Sequence, residues 1–401
     1  MLSSQTLTAQ TLYYLDRYHS PHFITMSSAV EQNHEHPRRL FLISVPRTAS
    51  NLLVKVLNIH HQPDVLTNDK AGYYFYPVYL TAVSKGYFSR PIHEWTQDEK
   101  AEIRDLYQQC LDRLEAASLE AQRDGKMMFT KEHSFWLVNL GTMMLDAMGD
   151  GGGTETAQQK PHDYQKDADF FRLSYPEQRY GPQHDHTYSA NNKTIFPDAY
   201  LRTWHFVFLI RHPALAWPSM YRAMSKLARL PVNVLGTDPD SQDDGVQGAL
   251  MTNMTWKWSR YLVDWCAEHQ PPSQQPLVLD AHDVIHNPDV VLKFCELAGL
   301  DRDAVQFSWE DGHQLDLGSE KSKLGGDGGM NFDLQAADIM TSTLRTSKGV
   351  IKEKTPASVD VDAEVVKWKE EFGVEVAALL ERLVRDAMPD YEYLRERRVM
   401  A

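Results

Sequence analysis

The first strong signal in the chain is the run from Arg39 to Val45, where Leu40, Phe41, Leu42 and Ile43 follow one another without a polar break. A continuous apolar run suits a strand covered on both faces, as in a parallel sheet, so the pattern predicts a strand. Pro46-Arg47-Thr48-Ala49-Ser50 interrupts it and the period then changes: from Asn51 to Ile59, Leu52, Leu53, Val56 and Leu57 share one helical face. Strand and helix alternate again further on. Lys126 to Phe129 reads as a short strand, His205 to Ile210 as a buried strand entering a helix over Ala214 to Leu227, and Pro276 to Leu279 as another strand. Asn287-Pro288-Asp289 then starts a helix that turns Val290, Val291, Phe294 and Leu297 inward and stops at Gly299. Ala363 to Leu394 predicts one long amphipathic helix built on Val366, Trp368, Phe372, Val376, Leu379, Leu380 and Val384.

Strands separated by helices imply the α/β class, here a doubly wound parallel sheet flanked by helices, which takes ligands at the carboxyl ends of its strands. Residues 39–401 are expected to form a single α/β domain after a polar N-terminal extension, 1–38. A surface insertion is expected at about 148–200, because Gly149 to Pro197 is rich in Gly, Gln, Asp and His and keeps no period. Leu235 to Gln247 and Gly318 to Asn331 are looser still, and no internal repeat is visible.

Composition narrows the function classes. The net charge of -14 over 401 residues argues against nucleic acid as a partner, so any anion site must be a local basic spot. Cys110, Cys266 and Cys295 are far apart and sit among apolar neighbours, which predicts free thiols rather than a disulfide framework. No apolar stretch reaches membrane-helix length and Met1 to Pro37 has no apolar signal core, so a cytoplasmic protein without membrane partners is expected. Oligomeric state is not legible.

Two segments carry candidate chemistry. In the turn after the first strand, backbone N–H groups and a helix N-terminus converge, which suits a phosphate or sulfate. Arg47 adds a forked permanent charge there, and Ser50 and Asn51 are placed either to cap the helix or to reach an anion. An ordinary capped turn is the alternative, and the GxxxxGK[ST] pattern is absent. The second segment is Phe206 to Pro213, with Arg211 at the strand end and Ser219 eight residues further along. Arg211 and Ser219 would share an anion if the strand end folds back beside the helix; otherwise they are a salt-bridge partner and a surface hydroxyl.

Taken together, these segments resemble the PAPS-dependent sulfotransferase family, whose donor is 3′-phosphoadenosine-5′-phosphosulfate (PAPS). Pro46-Arg47-Thr48-Ala49-Ser50-Asn51-Leu52 is similar to the family's PKSGTTW-like loop, and Arg211 with Ser219 to its Arg and Ser eight residues apart. Lys131-Glu132-His133 resembles its KTH stretch. The span Pro276 to Leu300 is similar to its YEDL strand and following helix, and Ser347-Lys348-Gly349 to its RKG loop, with Lys323 to Asp327 a competing candidate for that loop. The resemblance runs from about residue 39 to the C-terminus and is closer to divergent fungal or bacterial members than to animal phenol sulfotransferases. Arg47 replaces the usual Lys, Ala49 a Gly, Leu52 a Trp and Ala281 a Tyr. Without the Gly, the turn must avoid a positive φ at Ala49 or accept strain; without the two aromatics, adenine must stack elsewhere or weakly.

The resemblance implies a P-loop-like fold and transfer of sulfonate from PAPS to a hydroxyl of a small organic acceptor, without a metal. Arg47, Thr48, Ala49, Ser50 and Asn51 would hold the 5′-phosphosulfate. Arg211 and Ser219 would hold the 3′-phosphate, with Ser347, Lys348 and Gly349 closing on it. His133 would be the general base, with Glu132 the runner-up, while Lys131 and Arg47 stabilise the sulfonate and the leaving phosphate. An apparent pKa near neutrality is expected for His133, lowered by Lys131 and raised by Glu132. The chain has 17 histidines, and the pairs His34/His36, His60/His61 and His184/His186 have no ligand spacing that calls for a metal. Tyr73-Tyr74-Phe75-Tyr76-Pro77 and Phe135-Trp136 either wall an acceptor pocket or fill the core. A competing expectation keeps the fold and replaces transfer by a proton-transfer reaction such as dehydration or cyclisation, since fold does not fix function.

Overall fold

The computed structural model describes residues 38–143, 164–175, 187–227, 252–309 and 339–401. Residues 1–37 of the N-terminal extension, 148–163 and 176–186 of the expected insertion, and the loose stretches 235–247 and 318–331, with the Lys323 to Asp327 candidate, lie outside the described residues.

Five parallel strands form one sheet: β1 Arg39–Ser44, β2 Val65–Leu66, β3 Met127–His133, β4 His205–Ile210 and β5 Leu277–Asp280. Their order is β2-β3-β1-β4-β5. β1 is central, and the chain builds outward first on its β3 side and then on its β4 side, so the loops leaving β1 and β4 part company. In α/β sheets such a divergence leaves a crevice for ligands at the carboxyl ends of the strands.

The helices in chain order are α1 Ser50–Val56, α2 Tyr76–Ser84, α3 Gln97–Arg123, α4 Tyr164–Phe170, α5 Asp198–Leu201, α6 Pro213–Leu227, α7 Lys257–His269, α8 Ala281–His286, α9 Pro288–Ala298, α10 (339–346), α11 Val361–Phe372 and α12 Val374–Glu396. The period of two along β1 divides the core. Phe41 and Ile43 join Phe206 and Phe208 under α3, α6, α7 and α12. Leu40 and Leu42 join Phe129, Val207 and Leu209 under α1 and α9. Each fully buried large apolar side chain contributes about 1.5–3 kcal/mol, and the central strands are buried almost throughout. At the amino end of β1, Arg39 is buried over the Trp204 ring and donates to Glu115 (2.7 Å), Ser118 (2.7 Å) and Thr203 (2.9 Å). Removing one partner of such a pair costs about 3–5 kcal/mol. This charge lies at the end of the strand away from the crevice.

Several boundaries differ from the pattern-based expectation. The first helix stops at Val56 because Asn58 turns left-handed (φ 50°), and a short 3₁₀ turn, Ile59–His61, follows. β3 runs on to His133, which places Lys131 and His133 inside the strand rather than after it. The single C-terminal helix is two, broken at Gly373 (φ 87°). Leu297 and Val366 are exposed at 45% and 57%, since they fall off the stripes formed by Val290, Val291, Phe294 and Cys295 and by Val365 and Trp368. The stop at Gly299 holds, with φ 71°. A capping box at Thr96 and Glu99 starts α3. Among the described residues no helix is long and apolar enough to cross a membrane.

Candidate active site

The turn from β1 into α1 is held in an unusual backbone shape. Arg47 (φ 71°) and Ala49 (φ 68°) are both left-handed, and Thr48 between them donates its hydroxyl to the Val45 carbonyl at 2.9 Å. The turn therefore accepts strain at Ala49 where the related loops have Gly, at roughly 1–3 kcal/mol per strained residue. Such strain persists where the surroundings impose it. Ala49 itself is the N-cap and makes no side-chain cap bond, so Ser50 and Asn51 do not cap the helix. Asn51 turns toward β3 instead, where its Oδ1 accepts from Lys131 Nζ, and Ser50 faces the Tyr73 phenol, whose pKa it lowers against the effect of burial.

Arg47, Arg211 and Ser219 meet. Arg47 Nε donates to Ser219 Oγ at 3.0 Å and its Nη1 to the Met340 carbonyl at 2.6 Å. Arg211 donates from Nη1 to the Arg47 carbonyl at 3.0 Å and from Nη2 to the Lys354 carbonyl at 2.9 Å, while its buried Nε has no partner among the described residues. Arg47 therefore links Arg211 to Ser219, through its own carbonyl on one side and its Nε on the other. Among the described residues neither guanidinium forms an ion pair with a carboxylate; their acceptors are carbonyls, one hydroxyl and the Met340 thioether. Burial lowers the pKa of both, and for Arg211 burial, then the nearby Arg47 charge, bring it down to about 10 against the opposing pull of Asp280.

The second cluster lies one strand away. Alternation along β3 puts Lys131 and His133 on the same face as Phe129, the face that α1 covers, and Glu132 on the other. In register, Lys131 stands opposite Leu42 and His133 opposite Ser44. His133 Nδ1 is 3.0 Å from Ser44 Oγ, and its Nε2 is 3.5 Å from the Tyr73 hydroxyl. Burial, then the Lys131 charge, push His133 down to about 3, so the imidazole is neutral across physiological pH. Lys131 is 1% exposed and burial lowers it to about 7, with Glu132 opposing. Its ammonium sits 4.4 Å from the centre of the Tyr73 ring. Glu132 accepts from the backbone N–H of Phe75 (3.4 Å), and burial raises its carboxyl well above the usual range. It anchors the 71–75 loop and is turned away from Lys131 and His133.

Of the other expected residues, Ser347, Lys348 and Gly349 are held by the 307–309 segment. Trp309 donates from Nε1 to the Ser347 carbonyl (2.8 Å) and from its backbone to that of Lys348 (3.1 Å), and Gly349 bridges Ser308. The stretches that touch the two arginines flank this loop, at Met340 and Lys354. Phe135 and Trp136 are core, at 3% and 6% exposure, although Trp136 also stands edge-on to His133 with ring centres 4.5 Å apart. Ser44 was not singled out by sequence, and Tyr73 only as a pocket wall. The signal for Ser44 is a lone hydroxyl ending an apolar strand; for Tyr73 it is a Gly immediately before an aromatic in a loop.

No family model matches the chain. Two curated proteins do. It is 33% identical over 377 residues to "Sulfotransferase ppzF" of Metarhizium majus (strain ARSEF 297), covering 91% of this chain and 98% of that one. It is 32% identical over 375 residues to "Sulfotransferase ppzF" of Metarhizium rileyi (strain RCEF 4871), covering 91% and 97%. Two solved structures, the sulfotransferase domain from the curacin biosynthetic pathway and that from the Synechococcus PCC 7002 olefin synthase, are each 12% identical, with TM-scores of 0.35 and 0.30. They cover 84% and 87% of this chain and 97% and 99% of their own, a likeness too distant to bear on the fold. With a third of its residues identical to these fungal relatives across nine-tenths of its length, the chain belongs to a sulfotransferase family found in fungi.

Proposed function

We propose that the chain transfers a sulfonate group from PAPS to a hydroxyl of a small organic acceptor. The observation that carries this reading is the pair of half-buried arginines, Arg47 and Arg211, which repel one another and meet carbonyls, the Ser219 hydroxyl and the Met340 thioether, but no carboxylate, among the described residues. Two partly desolvated like charges without a carboxylate between them suit a polyanion, whose charge would offset the repulsion. The strand order and the helices on both faces fit a doubly wound, P-loop-like sheet with the donor at its carboxyl edge. Residues 39–401 are read as one domain, and the three free, buried thiols suit a reducing cytoplasm.

In the proposed reaction the acceptor oxygen attacks sulfur, a new S–O bond forms, and the bond from sulfur to the bridging oxygen of the donor breaks. The acceptor proton passes to His133 Nε2. The electron pair of the broken bond stays on the bridging oxygen of the departing adenosine 3′,5′-bisphosphate, where Lys131 and Arg47 meet the charge. The strained turn from Arg47 to Asn51 holds the phosphosulfate end; Arg211 and Ser219 hold the 3′-phosphate, with Ser347, Lys348 and Gly349 closing from the far side. None of these steps calls on a metal. Tyr73 and Trp136, whose rings touch each other and the His133 ring, with Tyr76 against Trp136, suit a flat or lipophilic acceptor.

Arg211→Ala and Ser219→Ala should weaken adenosine 3′,5′-bisphosphate by about tenfold or more, as loss of a charge-assisted bond implies, while adenosine 5′-phosphate is barely affected. Calorimetry on both nucleotides checks this, and equal losses would contradict the assignment. Lys131 supplies a second expectation. Because its pKa in the free protein is lowered to about 7, it is mostly neutral at pH 8. A bound anion favours the charged form and raises that pKa, so binding at pH 8 takes up a proton. The binding enthalpy should then change between buffers of different ionisation enthalpy, and the difference should vanish in Lys131→Met. An enthalpy independent of buffer in the unmodified protein would contradict it.

A further inference from the structure

The chain from Ala71 to Tyr73 is the most strained segment among the described residues: Ala71 (φ 55°), Gly72 (φ 137°) and Tyr73 (φ 61°) all have positive φ in succession. An aromatic residue rarely adopts this conformation, and it costs on the order of 1–3 kcal/mol. Strong local bonds enforce it. Asn68 bonds Gly72 in both directions, at 2.7 Å and 2.8 Å, and the Tyr73 N–H donates to the Lys131 carbonyl at 2.7 Å. Gly72 passes so close to β3 that a Cβ there would lie 2.2 Å from the Lys131 carbonyl oxygen, so no other residue fits.

The outcome of this strain is the placement of one side chain. The Tyr73 ring lies 4.4 Å from the Lys131 ammonium and 5.3 Å from the His133 ring, and its hydroxyl lies 3.5 Å from His133 Nε2. The Ser44 hydroxyl lies 3.5 Å from the Glu132 carbonyl and 3.0 Å from His133 Nδ1; with that hydroxyl donating to the carbonyl, Nδ1–H donates to Ser44 Oγ and Nε2 keeps the lone pair. Burial raises the phenol pKa, so Tyr73 stays neutral; its hydroxyl, 3.5 Å from Nε2, orients that lone pair in the free protein and yields it to the acceptor hydroxyl when one binds. A single strained residue therefore touches both groups on which the reaction is proposed to depend, from the side opposite β1.

We infer that Tyr73 is a positioning residue, set by the 68–73 loop to hold the Lys131 ammonium under its ring and to fix the basic nitrogen of His133 through its hydroxyl. The inference rests on the transfer reading for its catalytic meaning and on geometry alone for the contact. Tyr73→Phe keeps the ring and deletes the hydroxyl. In the free protein, the ¹⁵N signal of His133 Nε2 should shift on this substitution while that of Nδ1 stays, a change that general loosening would not produce selectively. In turnover with PAPS and a panel of phenols and alcohols, kcat should fall by about tenfold to 100-fold with the donor KM within about twofold, as for an interaction made mainly in the transition state. Tyr73→Leu, which also removes the ring face, should lower kcat further. Unmoved nitrogen signals together with a parental kcat would overturn the inference. Failure of the unmodified protein to bind adenosine 3′,5′-bisphosphate would instead count against transfer, and the nitrogen signals would then decide the Tyr73 contact by themselves. Should Tyr73→Phe not fold, the unmodified protein still gives an answer: a neutral Nδ1–H tautomer from pH 5 to 8 supports the arrangement, and an Nε2–H tautomer overturns it.

Discussion

His133→Ala should turn over about 100-fold to 10,000-fold more slowly than the unmodified enzyme, the usual worth of a positioned general base. Its affinity for adenosine 3′,5′-bisphosphate should be nearly unchanged, because the imidazole faces Ser44, Tyr73 and Trp136 and not the arginine pair. The pH profile sharpens the expectation. A base near neutrality would give a rate that rises through that pH, but burial and Lys131 hold His133 down to about 3, so its basic form is already complete at pH 5. The group lowered to about 7 is Lys131, and it is needed charged. The kcat/KM for the donor should therefore be flat in acid and fall as pH rises beyond about 7, and Lys131→Arg should move that fall upward because guanidinium stays charged. A rate that climbs between pH 6 and 8 would contradict this, as would a His133→Ala enzyme of parental activity.

Arg47→Ala should be nearly as damaging, but differently. Arg47 connects Ser219, the Met340 carbonyl and, through its own carbonyl, Arg211, so its loss removes a charge from the donor site and a link between the turn and α6. Removal of one preorganised donor to developing charge lowers kcat by about 100-fold to 1,000-fold, and donor affinity should fall as well. Arg47→Lys should keep part of the activity, since it retains the charge but not the fork that reaches Ser219 and Met340 together. Loss of a half-buried cation that repels Arg211 offsets the lost bonds, so the melting temperature should change little. Steady-state kinetics beside a melting curve check both, and a fully active Arg47→Ala enzyme would be incompatible with the role.

The parts of this site that were legible in advance are those set by strands. Continuous apolar runs mark β1 and β4, the period of two puts Lys131 and His133 on one face, and the ends of the same strands carry Arg47 and Arg211. What was not legible depends on backbone rather than on residue type. Met340 and Lys354 contribute carbonyls, which leave no trace in side-chain pattern. Ser44 becomes meaningful only when the register sets it opposite His133. Tyr73 depends on three successive positive φ angles, two of them at residues other than glycine. Capping, one of the two alternatives open to Ser50 and Asn51, is not used: Asn51 meets Lys131 and Ser50 faces Tyr73, a tertiary choice that local propensity does not encode.

The central claim, that Arg47, Arg211, Ser219 and Lys131 together form a site for the donor nucleotide, is tested most directly by titrating adenosine 3′,5′-bisphosphate and adenosine 5′-phosphate into the unmodified protein. The account predicts saturable binding of the bisphosphate, with the 3′-phosphate strengthening it by at least tenfold over the monophosphate and the advantage lost in Arg211→Ala. Equal affinity for the two nucleotides, or no binding of either, would contradict it.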